Sequence, residues 1–356
     1  MEAFLQPLLE LEELQEAKKQ VKSTGGVVQI SGCIDAQKSH MIYGMSDGFR
    51  NKIIVTFSEQ KARELYEDCR FFDREILNYP AKDLLFYQSD IRGNLLIKER
   101  IALLKRLADK EPVTVVTTFD ALMNRMSEPD NFSDAVLRLE TGEELDIEKT
   151  THRLVQMGYT KNYQAEAPGE FAVRGGILDI YPLTDDNPYR IEMWGDEIDS
   201  IRSFDAESQR SIENLQQVNI YPAAEFVLTD QAKAAGLKKL EAESKRVEKK
   251  FREEMKTEEA HRVKTGYEAF REEVEELSGS ANLDDRILYF WEKSVSLLDC
   301  FSKEDTIVFL DEPARLLEKG RVTEQEFSES MKQRLEKGYI LPGQMNELFG
   351  YKEIMG

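Results

Sequence analysis

Two short polar segments contain residue types at spacings that could bind a nucleotide. In the first, residues 32–39 follow the pattern GxxxxGK[ST] except at Gln37, which stands where the second glycine is expected. That glycine is needed because the backbone amides of a P-loop curl around phosphate in a conformation that a side chain resists. Gly32 begins the segment, and Lys38 and Ser39 have the chemistry to meet a phosphate and Mg²⁺. Gln37 argues against a working site.

The second segment is Asp311-Glu312, which closes an apolar run at residues 306–310 as a Walker B pair would. Two acids at a strand end are otherwise ordinary and often cap the next helix. Together with the imperfect loop they indicate an ATPase ancestor whose nucleotide site has degenerated. No arginine finger and no second motor domain can be identified, so we expect no catalytic residues and no enzymatic activity in this chain.

Cysteine and histidine usage argues against metal sites and disulfides. The three cysteines are far apart and form no CxxC pair, and the three histidines are isolated. This usage suits a reducing cytoplasm, and we expect no bound metal or cofactor. A further acidic group could be mistaken for a metal site, but strand alternation would divide its members between two faces. Its members are Glu192, Asp196, Glu197 and Asp199.

The net charge of −20 makes a protein the expected partner of this chain. With 48 basic and 68 acidic residues, the chain would repel a DNA duplex unless its cations were concentrated locally. No apolar run reaches the roughly 18 residues needed to span a bilayer, so a membrane role is not expected.

Strand-like and helix-like segments alternate in the first part of the chain. Residues 27–30, 52–57 and 112–118 are apolar runs, and helices are predicted from Ser58 to Tyr66 and up to Met126. Strands that are apolar on both faces predict a parallel sheet covered on both sides. The run at residues 306–310 returns the chain to this α/β pattern as a further buried strand.

Between these parts lies a strand-rich segment with frequent turn signals, which predicts an antiparallel α+β insertion. We therefore divide the chain into residues 1–127, the insertion at 128–222, and a helical excursion with the second α/β half at 223–356. The excursion has apolar residues three, four or seven positions apart, which predicts a two-helix hairpin. Its apolar positions are Leu237, Leu240, Val247, Phe251, Met255, Val263, Tyr267, Phe270, Val274 and Leu277. The last residues show no clear terminator, so we expect a piece of a longer protein.

The inserted segment also contains basic residues at predicted strand ends beside aromatic residues. Lys161 precedes Tyr163, and Arg174 follows Phe171. Arginine and tyrosine supply a large contact area with few lost rotamers, as an interface anchor requires. An ordinary hairpin with surface charges is the alternative.

Longer stretches of the insertion resemble a known family. Residues 169–182 (GEFAVRGGILDIYP) and 189–202 (YRIEMWGDEIDSIR) are similar to the UvrA-binding domain shared by UvrB and the bacterial transcription-repair coupling factors. Residues 204–211 and 79–83 look specifically like the coupling factors. The similarity covers nearly the whole chain and is weakest at 232–278.

The resemblance implies a degenerate P-loop, RecA-like parallel-sheet domain in two halves, with a UvrA-binding domain inserted between them. It implies a non-catalytic adaptor that recruits UvrA to stalled RNA polymerase. The family's contact positions carry over to Lys161 and Arg174, with Phe171 in the same motif. An arginine that UvrB has between them is replaced by Ala172.

The resemblance also implies that RNA polymerase and DNA bind to domains further along the full-length protein, where a motor uses ATP and Mg²⁺. Residues 84–96 are too short and too poor in aromatics for the DNA-gripping hairpin of UvrB. The alternative is a residual ATP-binding, UvrB-like DNA helicase domain. Lys38, Ser39, Asp311 and Glu312 favour this alternative.

Overall fold

A computed structural model describes residues 2–24, 26–82, 90–276 and 283–355. The helices are α1 (Glu2–Leu9), α2 (Glu12–Thr24), α3 (Asp35–Met45), α4 (Glu59–Arg70), α5 (Asp90–Ala108), α6 (Phe119–Met123), α7 (Pro129–Ser133), α8 (Ile147–Gln156), α9 (Asp230–Glu253), α10 (Thr257–Glu276), α11 (Pro313–Glu336) and α12 (Tyr351–Met355). The strands are β1 (Asn51–Thr56), β2 (Leu77–Tyr79), β3 (Thr114–Thr118), β4 (Met126–Ser127), β5 (Leu137–Glu140), β6 (Thr160–Lys161), β7 (Glu170–Arg174), β8 (Ile177–Ile180), β9 (Tyr189–Trp194), β10 (Glu197–Phe204), β11 (Ser211–Leu215), β12 (Gln217–Ile220), β13 (Ser294–Val295) and β14 (Thr306–Leu310). No helix in these ranges is long and apolar enough to cross a membrane.

The predicted parallel sheet is confirmed, with strand order β14-β1-β3-β2. Alternate residues of β1 belong to cores on opposite faces: Ile53 lies in one buried cluster and Ile54 in another. Val115 and Val116 of β3 divide in the same way. Because both faces are covered by packed side chains, these strands are apolar at successive positions.

Two predictions for the first half are wrong. Residues 27–30 form no strand, and Val27 is 94% exposed. β-Branched residues favour a strand only where a neighbouring strand can pair with them, and here none does. The helix predicted up to Met126 ends at Met123, since residues 126–127 instead pair with β13. The helix at Ser58 is confirmed, with Ser58 as its N-cap, and it extends to Arg70.

The strand predicted at residues 306–310 is present as β14, but the prediction that it is buried is wrong. β14 pairs with β1 and lies at the edge of the sheet, so only Ile307 among its residues is buried. Its place in the sheet shows that the α/β domain is built from both ends of the chain. Residues 84–89 of the segment compared with a DNA-gripping hairpin lie outside the described residues, and α5 begins at Asp90.

The inserted segment contains the predicted antiparallel structure. Its main sheet has the order β11-β10-β9-β8-β7-β6, in which β7 to β11 are antiparallel and the short β6 is parallel to β7. A second pair, β5 with β12, brings the start of the segment beside its end. The boundaries 128 and 222 stay predictions, and the buried side chain of Phe132 packs in the α/β core.

The predicted two-helix hairpin is confirmed as α9 and α10. Leu240, Val247 and Phe270 are buried in its core. Met255 is a correction, since it is 89% exposed in the turn between the helices. Leu277 lies outside the described residues.

One buried ion pair connects the first half of the α/β domain to the segment that leaves the insertion. Arg100 of α5 is fully buried, and its Nε and Nη2 donate to the two carboxylate oxygens of Glu225 at 2.8 and 3.0 Å. Its Nη1 donates to the carbonyl of Pro80 at 2.8 Å, and its guanidinium lies 4.1 Å from the ring centroid of Tyr79. Lys82 adds a contact to Glu225 at 3.1 Å. Burial alone raises the pKa of Glu225, but Arg100 and Lys82 outweigh it and lower the pKa from 4.5 to about 2.

Replacing Glu225 by Gln should lower the free energy of unfolding by about 3 kcal/mol at neutral pH, because it leaves Arg100 as a buried charge without its partner. The pKa of Glu225 is lower in the folded state, so the ion pair stabilises fully above pH 4.5 and is lost as the pH falls toward about 2. Urea denaturation at neutral pH and at about pH 3 should therefore show a smaller difference between the proteins at the lower pH. Glu140→Gln, which removes an exposed ion pair, is the control and should change stability by less than about 0.5 kcal/mol. Equal stability of Glu225→Gln and the unmodified protein would contradict the role assigned to this pair.

Candidate functional site

Five charged residues share one face of the six-stranded sheet, which we call the arginine face: Arg174, Asp179, Arg190, Glu192 and Arg202. Cross-strand register aligns Asp179 with Arg190, and Arg190 with Arg202. The intervening side chains point to the other face, where they form the core of the inserted domain. The meander therefore gathers charges that are far apart in sequence.

Asp179 is the centre of this face. It is 1% exposed and accepts hydrogen bonds from Arg174 Nη2 at 2.8 Å and from Arg190 Nε and Nη2 at 2.7 and 2.8 Å. A buried carboxylate is costly to desolvate, and charge-assisted bonds of this length compensate for that cost. Asp179 consequently fixes the position of both guanidinium groups.

The other two arginines of this face, Arg190 and Arg202, are held by different partners. Arg190 also donates to Gln209 at 2.9 Å, and its guanidinium lies 4.4 Å from the ring centroid of Phe204. Arg202 donates to Glu192, which also accepts from Ser200. Arg190 is held on several sides, whereas Arg202 is bound at the side of the face toward β11.

Arg174 keeps free donors for a partner. Its side chain is 34% exposed, and Asp179 takes only one of its terminal nitrogens among the described contacts. Gly176 lies two residues after Arg174 in the β7–β8 turn, and its carbonyl accepts from the amide of Met193 at 2.8 Å. This contact places the β9–β10 turn close by, where Trp194 is 82% exposed. A fixed guanidinium and an exposed indole on neighbouring parts of one sheet are residue types enriched at interface hot spots.

The other two predicted contact residues are placed differently. Phe171 is fully buried in the core of the inserted domain, so the prediction that it meets a partner is wrong. Strand alternation directs it away from Arg174. Lys161 is exposed on the edge strand β6, in register with Phe171. It is three residues along the sheet from Arg174, or roughly 10 Å at the rise of a strand, and the two do not form one cluster.

Three members of the arginine face, Asp179, Arg190 and Arg202, were not predicted from the sequence. The replacement of UvrB's additional arginine by Ala172 led us to expect a reduced set of cations. Ala172 is aligned with Asp179, and Arg190 occupies the next position of the same row. The available signal was charge at every second position of the strands, as in Arg190 and Glu192, but it required the register to become interpretable.

The two nucleotide-like segments meet in space. Lys38, on α3, places its ammonium 2.7 Å from Asp311 Oδ1 and 2.8 Å from Asp35 Oδ1, with Glu312 at 3.9 Å. Burial lowers the pKa of Lys38, but the bonds to Asp311 and Asp35 outweigh it and raise the pKa. Hydrogen bonds from Lys38 and Lys61 lower the pKa of Asp35 to about 2. The ammonium of Lys38 is thus neutralised by carboxylates from two parts of the chain.

The remaining loop residues also differ from a phosphate cradle. Gly32 has a positive φ of 83°, but no strand precedes it. Gln37 lies within α3, and its side-chain oxygen accepts from the backbone amide of Ile34 at 3.3 Å. That amide is one of the donors that a bound phosphate would use. Ser39 is buried in α3.

Comparison with known proteins places the arginine face within a recognised domain. A family model described as the UvrB interaction domain matches residues 137–226. This range contains the whole six-stranded sheet with the arginine face.

Similarity to complete proteins extends over most of the chain. A transcription-repair-coupling factor of Bacillus subtilis is 31% identical over 327 residues, which cover 88% of this chain and 27% of that protein. A protein of the same name from Staphylococcus epidermidis is 30% identical over 302 residues, covering 83% of this chain and 25% of the relative. A transcription-repair-coupling factor of Staphylococcus aureus is 30% identical over 273 residues, which cover 75% of this chain and 22% of that protein. The chain spans about a quarter of the length of these relatives.

Asp179→Asn should lower the free energy of unfolding of the inserted domain by about 3 kcal/mol, because it leaves two guanidinium groups on a buried neutral amide. Urea denaturation measures this loss. Asp199→Asn is the matched control, since Asp199 is an exposed aspartate on the neighbouring strand β10, and it should change stability by less than about 0.5 kcal/mol. If both variants are as stable as the unmodified protein, Asp179 does not organise the arginine face.

Proposed function

We propose that this chain, which matches the N-terminal region of the transcription-repair coupling factors, is a non-catalytic adaptor that binds UvrA through its arginine face. The observation that carries the proposal is the state of Arg174. Its guanidinium is fixed by the buried Asp179, yet its side chain remains 34% exposed within the domain matched as UvrB interaction domain. A group that is already positioned loses little conformational freedom on binding.

The charge of the face supports an acidic contact surface on the partner. Three arginines stand against two carboxylates there, in a chain whose net charge is −20. Arginine binds carboxylates bidentately, so Arg174 would pair with an Asp or Glu of UvrA. The exposed Trp194 would supply apolar contact area next to it.

Lys161 would take a secondary part. It is exposed at the edge of the sheet, on β6 rather than on the strands of the arginine face. Lysine lacks the planar fork of arginine and is more strongly hydrated. We therefore assign it to the rim of the interface, where a charge affects the association rate more than the affinity.

In this proposal the chain serves transcription-coupled nucleotide excision repair in the cytoplasm, by recruiting UvrA to stalled RNA polymerase. The three cysteines are free thiols, which suits a reducing compartment. RNA polymerase and DNA would bind to parts of the protein outside this chain. ATP and Mg²⁺ would be used by a motor that is also outside it, and this chain would need no cofactor.

The contacts of Lys38 support the non-catalytic part of the proposal against a residual ATP-binding helicase domain. A phosphate would have to displace Asp311 from Lys38 and to approach Asp35 and Glu312, both of which repel it. Gln37 already occupies the amide of Ile34. The pairing of Lys38 with Asp311 is what would remain of an ancestral nucleotide site after its function was lost.

Arg174→Ala should weaken binding to purified UvrA by about 30-fold, corresponding to about 2 kcal/mol, because it removes the central anchor of the interface. Lys161→Ala should weaken binding by less than about fivefold, since a rim charge contributes little affinity. Isothermal titration calorimetry of this chain with UvrA measures both.

The matched control is Arg138→Ala, which removes an exposed arginine on β5, outside the six-stranded sheet, and should leave the affinity unchanged. Circular dichroism spectra of all variants should coincide. An unmodified chain that shows no saturable binding at tens of micromolar would exclude the adaptor function for this chain. Equal losses in Arg138→Ala and Arg174→Ala would place the interface elsewhere.

Millimolar Mg-ATP should affect the melting temperature of the unmodified chain and of Lys38→Met equally, because Lys38 is neutralised by Asp311 and Asp35 and cannot hold a phosphate. A ligand at about a hundred times its dissociation constant would stabilise the folded state by about 2.7 kcal/mol. A thermal-shift titration detects such an effect. A concentration-dependent rise that disappears in Lys38→Met would instead support the ATP-binding alternative.

A further inference from the structure

A cavity of about 400 Å³ opens where α11 ends beside α10, far in sequence from the arginine face and from the nucleotide-like loop. Arg334, Lys337 and Tyr339 are among its lining residues, together with Ser330 and Gln333. Its volume lies within the range of roughly 300–1,000 Å³ found for small-ligand sites. A cavity of this size lined by cations and an aromatic ring could hold a small anionic ligand.

The backbone at this cavity is held rigidly. After α11, the amide of Tyr339 donates to the carbonyl of Arg334 at 2.9 Å, and that of Gly338 donates to Leu335 at 3.1 Å. These two bonds form a Schellman turn, which requires a left-handed residue, and Gly338 has a φ of 70°. A Cβ atom at Gly338 would lie 2.9 Å from the carbonyl oxygen of Glu259, so α10 packs directly against the turn. Lys337 and Tyr339 are consequently presented from a fixed support.

Tyr339 offers an aromatic surface. Tyr339 is 57% exposed, and the guanidinium of Arg262 lies 4.3 Å from the centroid of its ring. Arg262 also donates to the carbonyl of Lys337, which ties it to the turn. With one side of the ring against Arg262, the exposed remainder can receive a second planar group. Aromatic rings beside cations are the usual stacking surfaces for nucleobases.

Lys337 and Arg262 differ from the other cations on the neighbouring helices. On α9 and α10, Lys245, Arg252 and Lys264 each approach a glutamate one turn away. Among the described residues, neither Lys337 nor Arg262 has a carboxylate oxygen within 4.0 Å. A cation near the end of a helix also offsets the helix dipole, and Arg262 supplies that effect through its bond to the carbonyl of Lys337. Lys337 remains available to an anion.

We propose that this cavity binds a small phosphorylated ligand that carries an aromatic ring, of the mononucleotide type. The ring stacks on Tyr339, and the phosphate is met by Lys337 with Arg334 beside it on α11. Ser330 and Gln333 provide hydrogen-bonding groups in the same wall. This site is independent of UvrA binding and of Lys38.

The test is calorimetric titration of the whole chain with ADP in the absence of Mg²⁺. ADP should bind saturably, and Lys337→Ala and Tyr339→Ala should each weaken binding about tenfold or more. Tyr339→Phe should retain the affinity, because it keeps the aromatic ring. This result would also show that the turn tolerates a substitution at this position. Pyrophosphate should bind at least about tenfold more weakly than ADP, since it has no ring to stack.

Two further variants distinguish this cavity from the loop before α3 and from general attraction to the cations of α11. Lys332→Ala removes an exposed cation of α11 that does not line the cavity, and it should leave ADP binding unchanged. Lys38→Ala should also leave it unchanged. No saturable binding at millimolar ADP, or binding that survives Lys337→Ala, would overturn the proposal. Loss of binding in Lys38→Ala would overturn it too, and would assign ADP to the loop before α3.

Discussion

The placement of the inserted domain depends on a buried ion pair between two residues that the insertion separates in sequence. Arg100 belongs to the first half of the α/β domain, and Glu225 follows the last strand of the insertion. A fully buried guanidinium needs acceptors, and the carboxylate of Glu225 and the carbonyl of Pro80 accept one bond from each of its three nitrogens. The chain therefore leaves the insertion at a defined place, from which α9 begins and β14 can return to the sheet.

A carboxylate bound by arginine also occurs inside the insertion, but there it has a different consequence. Asp179, like the largely covered Glu225, is a carboxylate bound by arginine. At Glu225 the arginine is buried too, so the pair only holds the structure together. At Asp179 one of the two arginines reaches the surface, so the cost of burying the carboxylate is offset by contacts that also position a guanidinium accessible to a partner. Around Lys38 the acids act in the opposite sense, because they neutralise the cation that a nucleotide would need.

Because the chain is strongly acidic, a cation whose charge remains accessible to a partner marks a candidate binding surface. Many of its cations pair with glutamates along the helices and contribute little to either stability or recognition. Arg174 is held by the buried Asp179 and Lys337 lies at the end of a helix, and in both places part of the charge remains accessible. Both surfaces are therefore small, and each combines a cation with an exposed aromatic residue, Trp194 in one and Tyr339 in the other.

The sequence by itself determined the class of each part of the chain, because hydrophobic periodicity reflects burial directly: the runs around Ile53 and Val115, the antiparallel insertion and the α9–α10 hairpin were all predictable. Family resemblance added the domain that carries Arg174. Whether a run becomes a strand depends on a partner strand, and only the tertiary structure decided that residues 27–30 have none and that β14 is an edge. It also decided that Phe171 is core and that Asp179, Arg190 and Arg202 lie together, since cross-strand register joins positions that sequence spacing leaves unrelated.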